Sequence, residues 1–225
     1  QEFPNPKIRC LAAGRSGNIM ISGEGKDLFV LERGHWRRIL AATDRPRSEI
    51  DTILQDHNGS IWLGTNDGLY FYRDGQMRHF VLNEGLSKNV TALLEDRDNN
   101  LWIGSEEGLY RSRDCLFHMM SGDLIQKKIV YALCEDVEGS IWAGAVDGGL
   151  FQIRDEKLES FTQREGLSGN VFRCVIGDGA GSLWIAGYGH HLNRYRGGRS
   201  EKFAFPSGFK AGTTNSLAVD GSDSL

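Results

Sequence analysis

The chain has 225 residues, of which 40% are hydrophobic and 25% charged, a composition typical of a folded domain with a real core. Its formal net charge of −4 and the absence of long like-charge runs argue against a nucleic-acid-binding surface. The longest apolar run, residues 129–134, is much shorter than the roughly 20 residues that a membrane-spanning helix needs, and the first residues show no signal-peptide pattern.

A tryptophan recurs at nearly constant spacing along the chain. Trp62 is followed by Trp102, Trp142 and Trp184, and Met20 holds the same place in an earlier copy. Such spacing indicates repeats of roughly 41 residues within a single domain, 1–225. The expected repeats are 8–49, 50–89, 90–128, 129–170, 171–214 and, as the first strand of a sixth copy, 215–225.

The residue pattern within each repeat predicts four short strands. In residues 90–96 (VTALLED) the side chains of Val90, Ala92 and Leu94 share one face and Leu93 points to the other, as in a strand. A turn such as DHNGS then precedes a second strand such as IWLGT. The turn NDG then leads into LYFYR, and a further DG leads into a strand that ends at Phe80. Helical periodicity is absent. Four strands in about 40 to 45 residues are typical of a propeller blade, so we predict an all-β propeller of antiparallel four-stranded blades.

The repeated residues are predicted to build the blades. An aspartate six residues before each tryptophan has a carboxylate that can bond backbone amides of a tight turn, and the tryptophan can fill the wedge between neighbouring sheets. Ten residues before the marker the side chain is small in every copy, which we interpret as a fit to the crowded propeller axis. These small residues are Cys10, Thr52, Ala92, Ala132 and Cys174.

The phrases DHNGSIWLGTNDGLY (56–70) and DRDNNLWIGSEEGLY (96–110) resemble the two-component regulator propeller repeat. The connectors NEGLSKNV (83–90) and REGLSGNV (164–171) resemble the same family's link between repeats. The resemblance implies the sensor region of a bacterial hybrid two-component protein, lying in the periplasm or otherwise outside the cytoplasm. It also implies a ligand, often an oligosaccharide, and a seven-bladed ring.

Two further expectations follow from this resemblance. A binding role predicts that the chain is not an enzyme and uses no cofactor. Because the repeats supply five blades and one strand, we expect a piece of a longer, seven-bladed propeller, with self-association through its open ends.

Two other functions remain open. A propeller enzyme, such as a polysaccharide lyase or a glycosidase, needs a cluster that is not repeated, and the cluster Tyr188, His190, His191 and Arg194 fits that description. A protein-interaction scaffold would instead present an unbroken apolar or charged rim. Adjacent histidines on a strand point to opposite faces, so no metal site is expected. Four cysteines without a C-x-x-C motif predict buried free thiols.

The ligand site is predicted on the face that collects the loops between second and third strands and the connectors between repeats. These segments vary, whereas the D-x-x-G turns of the opposite face are alike, and recognition is expected where loops vary on a rigid scaffold. The expected partner is a small molecule or an oligosaccharide, with no nucleic acid and no membrane insertion. The predicted ligand-binding residues are Tyr188, His190, Arg164, Lys128 and Lys210.

Overall fold

The computed structural model describes residues 7–40, 45–80, 89–113, 116–120, 124–189, 191–204 and 212–220. The strands are β1 (Ile8–Ala13), β2 (Ile19–Gly23), β3 (Leu28–Glu32), β4 (His35–Arg38), β5 (Ile50–Gln55), β6 (Ile61–Thr65), β7 (Gly68–Arg73), β8 (Gln76–Phe80), β9 (Val90–Glu95), β10 (Leu101–Ser105), β11 (Gly108–Arg113), β12 (Leu116–Met119), β13 (Val130–Glu135), β14 (Ile141–Ala145), β15 (Gly149–Arg154), β16 (Lys157–Phe161), β17 (Phe172–Gly177), β18 (Leu183–Gly187), β19 (His191–Arg196) and β20 (Arg199–Ala204). One 3-10 turn covers Gln163–Glu165. Within these residues there is no helix with the length and hydropathy of a membrane span.

Four consecutive strands form each sheet, and every pairing within a sheet is antiparallel. We call the five sheets blades 1 to 5 in chain order. The first strand of each blade packs against the first strand of the next, so these strands are innermost and the blades surround a common axis. The prediction of an all-β propeller with four-stranded blades is confirmed.

The apolar core lies in layers between consecutive blades. Between blades 1 and 2, for example, Met20 and Leu28 pack with Ile50 and Leu63, and all four side chains are fully buried. Three further clusters fill the spaces between blades 2 and 3, 3 and 4, and 4 and 5. Each sheet is therefore stabilised by its neighbours, because one sheet alone has two apolar faces and cannot bury both.

The aspartate–tryptophan pair fixes the turn between the first two strands of a blade. In blade 2 the indole Nε1 of Trp62 donates to Oδ2 of Asp56 at 2.9 Å. The other carboxylate oxygen accepts the backbone N–H groups of Asn58 at 3.0 Å and Ser60 at 2.9 Å. One side chain thus closes the turn and holds the indole in place, which confirms the structural role predicted for the repeated aspartates.

The same indole–carboxylate bond recurs in blades 3, 4 and 5, at 2.7, 2.7 and 3.1 Å. Burial of the ring is not uniform. Trp102 and Trp142 are buried as predicted, whereas Trp62 and Trp184 are only half-buried. In the described part of the chain no further blade follows blade 5 to cover Trp184.

A second repeated contact joins neighbouring blades on the face of these turns. The backbone N–H of Arg15 donates to the Gln55 side chain at 3.1 Å, and that of His57 donates to the Glu95 side chain at 3.1 Å. The N–H of Arg97 donates to Glu135 at 3.0 Å. In each case the acceptor is the last residue of a first strand and the donor lies in the turn of the preceding blade. We call this contact the inter-blade staple.

The staple is missing between blades 4 and 5. Gly177 occupies the acceptor position, and the turn residue that faces it, Val137, is 56% exposed. Neither sterics nor backbone conformation requires a glycine there: an added Cβ would meet nothing closer than Cys134 Sγ at 3.6 Å, and Gly177 is not among the residues with positive φ. A cleft of about 150 Å³ opens at this place, lined by Val137 and Trp142 among others.

The small residues of the first strands lie against the first strand of the neighbouring blade. The thiol of Cys10 contacts the carbonyl oxygen of Ile50 in blade 2 at 3.4 Å. A Cβ added to Gly64 would lie 2.4 Å from Thr52 Cγ2 and 2.6 Å from Val90 Cγ1. These positions are small because neighbouring inner strands approach closely, which is the crowding that the sequence predicted.

The outer faces of blades 1 and 5 expose apolar side chains. On blade 1, Ile8, Leu11 and Ile19 are 56%, 64% and 37% exposed, whereas the equivalent residues of blade 2, Ile50, Ile53 and Ile61, are at most 7% exposed. On blade 5, Phe203 is 36% exposed. The equivalent Phe80 and Phe161 contact aromatic rings of the following blade.

Trp102→Ala should lower the free energy of unfolding by about 3–5 kcal/mol, because it empties a large core position. The change also leaves the Asp96 carboxylate without its indole donor. Urea unfolding followed by circular dichroism measures the loss. Trp36→Ala, on the outermost strand of blade 1, is the control and should cost less. Equal losses in the two variants would contradict the assigned role of the marker tryptophan.

Gly177→Gln should raise the free energy of unfolding by about 1 kcal/mol relative to Gly177→Ala, since it restores one hydrogen bond between blades. The alanine variant removes the contribution of glycine flexibility from the comparison. Denaturant unfolding of both variants measures the difference. If the glutamine and alanine variants are equally stable, an inter-blade staple does not stabilise the contact between blades 4 and 5.

Candidate functional site

The first strand of every blade carries a β-bulge at the same position. In blade 1, Ile8 pairs with Gly23 and Cys10 with Ser22, so Arg9 has no partner in the ladder. A bulge of this kind turns one side chain out of the alternating pattern. The five bulge residues, each eleven positions before the marker, are Arg9, Asp51, Thr91, Tyr131 and Arg173.

All five bulge residues line one cavity at the end of the axis. Its volume is about 660 Å³, and the face on which it opens carries the variable loops. We call this cavity the mouth. Its remaining lining residues are Asn89, Tyr188, Thr213 and Asn215. Most of these side chains are polar, so the mouth offers hydrogen-bond donors and acceptors from every blade.

The segment 212–220 completes the mouth next to blade 5. Thr213 forms a bridge with Tyr188, and the N–H of Thr214 donates to the carbonyl oxygen of Gly187 at 3.0 Å. The Cys174 thiol contacts the carbonyl oxygen of Thr214 at 3.4 Å, as Cys10 does with Ile50. The segment therefore takes the place that the inner strand of a following blade would have. This arrangement brings Asn215 to the mouth.

The two arginines of the mouth have different surroundings. Arg9 forms ion pairs with Glu49 and with Asp51, and the hydrogen bond with Asp51 raises the pKa of its guanidinium above the ordinary value. The guanidinium of Arg173 lies over the ring of Tyr131, with 4.1 Å between the guanidinium carbon and the ring centroid. The mouth therefore carries a net negative charge around Arg9, where two carboxylates face one guanidinium, and is positive around Arg173.

The opposite face has its polar groups occupied by the fold. The Asp56 and Asp96 carboxylates accept from turn amides and from an indole, and Glu95 accepts from the N–H and the ring nitrogen of His57. Ligand recognition at these groups would have to break contacts that hold the blades together. The mouth therefore remains the better candidate.

The structure places the predicted ligand-binding residues at different points of this face. Tyr188 lines the mouth and is 60% exposed. Lys128 donates to the carbonyl oxygen of Asp147 at 2.9 Å, and Arg164 lies in the 3-10 turn between blades 4 and 5. Neither of these two lines the mouth. His190 and Lys210 are outside the described residues. Binding by these residues stays a prediction.

Of the cluster considered for an enzyme, the structure describes the side chains of Tyr188 and Arg194. Arg194 lies over the ring of Trp184 at 5.3 Å and donates to Ser182 Oγ at 3.0 Å, on the surface of the blade 5 sheet. His190 lies outside the described residues. Among the described side chains, no three of the His, Cys, Asp or Glu type come together as metal ligands.

Free thiols are found at the three cysteines that the structure describes, Cys10, Cys134 and Cys174. Burial raises their pKa values to about 12, 11 and 11. They are protonated at neutral pH and are poor nucleophiles, so their role is packing between blades.

Sequence analysis missed the bulge residues. The signal was present one position before the small residues, where the copies read Arg, Asp, Thr, Tyr and Arg and do not repeat. In a regular strand, adjacent residues face opposite sides. Without knowledge of the bulge, the sequence could not show which residue packs against the neighbouring blade and which lines the mouth.

The fold and the mouth define a β-propeller of four-stranded blades that present different side chains where their inner strands meet at one end. Residues 44–67 and 84–107 match the model of a family described as the two component regulator propeller. Two segments of the chain are therefore similar to two component regulator propeller repeats, and the resemblance drawn from the sequence is confirmed. No curated protein sequence matches the chain significantly.

Several solved structures share the fold. The extracellular domain of a protein described as a hybrid two-component system from B. thetaiotaomicron is 22% identical with a TM-score of 0.73, over 92% of this chain and 29% of that one. A second extracellular domain from that organism, described as part of a one-component system, is 17% identical with a TM-score of 0.60, over 96% and 40%. The chain thus spans less than half of either domain.

Virginiamycin B lyase from Staphylococcus aureus is also similar, with 15% identity and a TM-score of 0.75, over 90% of this chain and 72% of the lyase. The prediction that the chain is not an enzyme is wrong, because it treated the propeller as a binding scaffold and an enzyme shares this fold. A rigid ring with variable residues at one end supports either binding or catalysis. At this identity the likeness concerns the fold alone.

Proposed function

We propose that this propeller is a ligand-binding sensor region of a bacterial two-component signalling protein, and that its ligand, an oligosaccharide, binds in the mouth. The observation that carries the proposal is the convergence of five non-repeated bulge residues on one cavity. Repeated positions serve the blades, whereas a varied position that every blade sends to one place serves recognition.

The chemistry of the mouth supports a sugar ligand. Sugars combine apolar ring faces with hydroxyl groups that donate and accept hydrogen bonds. Tyr188 is an exposed aromatic surface at the rim, and Asn89, Thr91 and Asn215 supply uncharged polar groups. The cavity volume of about 660 Å³ is within the range usual for small-ligand sites.

A location outside the cytoplasm is part of the same proposal. It is supported by the family of the matched repeats and by the likeness to extracellular domains of signalling proteins. The periplasm is the compartment we propose, because a sensor there meets oligosaccharides before they enter the cell.

A thermal-shift screen against oligosaccharides, followed by calorimetry, tests the binding role. A ligand that binds only the native state adds RT ln(1 + [L]/Kd) to the free energy of unfolding and so raises the melting temperature. Tyr188→Ala should weaken the affinity about tenfold, the loss of one aromatic contact worth roughly 1.4 kcal/mol. Val137→Ala, at a similarly exposed residue on the opposite face, is the control and should bind normally. No binding by any oligosaccharide, or a loss confined to the Val137 variant, would reject the mouth.

We also propose that copies of the chain associate head to tail through the outer faces of blades 1 and 5. Ile8, Leu11 and Ile19 are the positions that the preceding blade covers elsewhere, and Phe203 is the position that contacts the following blade elsewhere. Each of these faces therefore fits the other, and such a contact joins different surfaces of the two copies.

Leu11→Asp and Phe203→Asp should each abolish self-association, since each places a charged side chain on one of the two apolar faces. Mixing the two variants should restore a single one-to-one pair, because one variant keeps an intact blade 5 face and the other an intact blade 1 face. Sedimentation velocity at increasing protein concentration measures the masses. A wild-type chain that stays monomeric, or a mixture that does not pair, would reject this proposal.

A further inference from the structure

Arg173 differs from the other arginine of the mouth in having no partner of opposite charge. Within the described part of the chain its guanidinium makes no ion pair and no hydrogen bond, and its described contact is the stacking on Tyr131. Arg9 is held by two carboxylates. A cation that lines a cavity without an acidic neighbour is available to an anion from outside.

Stacking on Tyr131 also prepares the guanidinium for binding. A planar guanidinium over an aromatic face is attracted to the ring and has its plane fixed, while its N–H groups remain free at the edges. These groups match two oxygens of a carboxylate or a sulfate in a paired, bidentate contact. Because the side chain is already held, less conformational entropy is lost when an anion binds.

The other charges of the mouth set the number of anionic groups it can accept. Asp51 and Glu49 lie around Arg9, and the two carboxylates leave that side with a net negative charge. A second anionic group placed there would be repelled, whereas hydroxyl groups of a sugar can donate to Asp51. The mouth is therefore suited to a ligand with one anion at one end and uncharged hydroxyls at the other.

We infer that the ligand is an acidic oligosaccharide whose carboxylate or sulfate group binds Arg173 while a neighbouring sugar ring lies against Tyr188. This inference rests on the proposed binding role of the mouth and specifies its ligand. The two aromatic residues then have separate roles, Tyr131 positioning the arginine and Tyr188 contacting the sugar.

Matched pairs of probes separate the anion from the sugar. Cellobiouronic acid and cellobiose differ in one carboxylate in place of one hydroxymethyl group, and 3′-sulfated lactose and lactose differ only in the sulfate. Calorimetry on the wild type should show at least tenfold tighter binding for one acidic member over its neutral counterpart. The pair that responds identifies carboxylate or sulfate as the group. A glycan array of acidic and neutral oligosaccharides extends the comparison to other sugars.

Arg173→Gln should remove the preference for the acidic member and leave the affinity for the neutral member unchanged. Arg173→Lys keeps the charge but loses the paired contact, so its preference should be intermediate. Arg196→Gln, which changes an exposed arginine on the opposite face, is the matched control and should behave as the wild type.

The outcomes separate this inference from the binding role itself. If neutral and acidic members bind equally well to the wild type and binding depends on Tyr188, the mouth binds sugars and the role of Arg173 is wrong. If Arg173→Gln weakens both members equally, the arginine is structural and the inference is also wrong. If no glycan on the array binds, both the binding role and this inference are rejected.

Discussion

The hydrogen bond between an aspartate carboxylate and an indole six residues later is the interaction on which blades 2 to 5 depend. Oδ2 holds the indole, and Oδ1 closes the turn by accepting two backbone N–H groups in blades 2, 3 and 4. The indole in turn lies at the contact between blades, where Trp142 meets Tyr195 of blade 5. A local bond thereby sets the orientation of a sheet, and the sheet sets the layer between blades.

Regular blades leave one irregular position that can differ from blade to blade. The bulge in each inner strand removes one residue from the ladder, and that residue is free to vary because neither pairing nor the apolar layers constrain it. Five such positions meet at the mouth although about 40 residues separate neighbouring ones along the chain. The five blades thus combine their side chains at one end of the axis, whereas the turns of the opposite end repeat one hydrogen-bonding pattern in blades 2, 3 and 4.

The two faces also differ in how their charges are used. On the turn face, carboxylates bond backbone amides and neighbouring arginines, as Glu135 does with Arg97. At the mouth, Arg173 is held by an aromatic ring instead of a carboxylate. The charges of the turn face thus stabilise the fold, whereas Arg173 has no such role in the described part of the chain. The same fold occurs in an extracellular domain of a signalling protein and in a lyase.

The sequence by itself determined the repeat length, the four-stranded blade and the aspartate–tryptophan pair, because these depend on contacts within a few residues and recur in every copy. It indicated the face that carries the variable loops, and it placed Tyr188 on that face. Only the tertiary structure decided which inner-strand residue lines the mouth. A bulge changes the direction in which adjacent side chains point, and the alternation of apolar residues along the sequence does not reveal it. Cys10 and Arg9 are neighbours in the chain, yet one packs against blade 2 and the other lines the cavity. Likewise, the lack of an acidic partner at Arg173 and the missing staple at Gly177 depend on residues of other blades, and proximity between blades is a property of the packed ring alone.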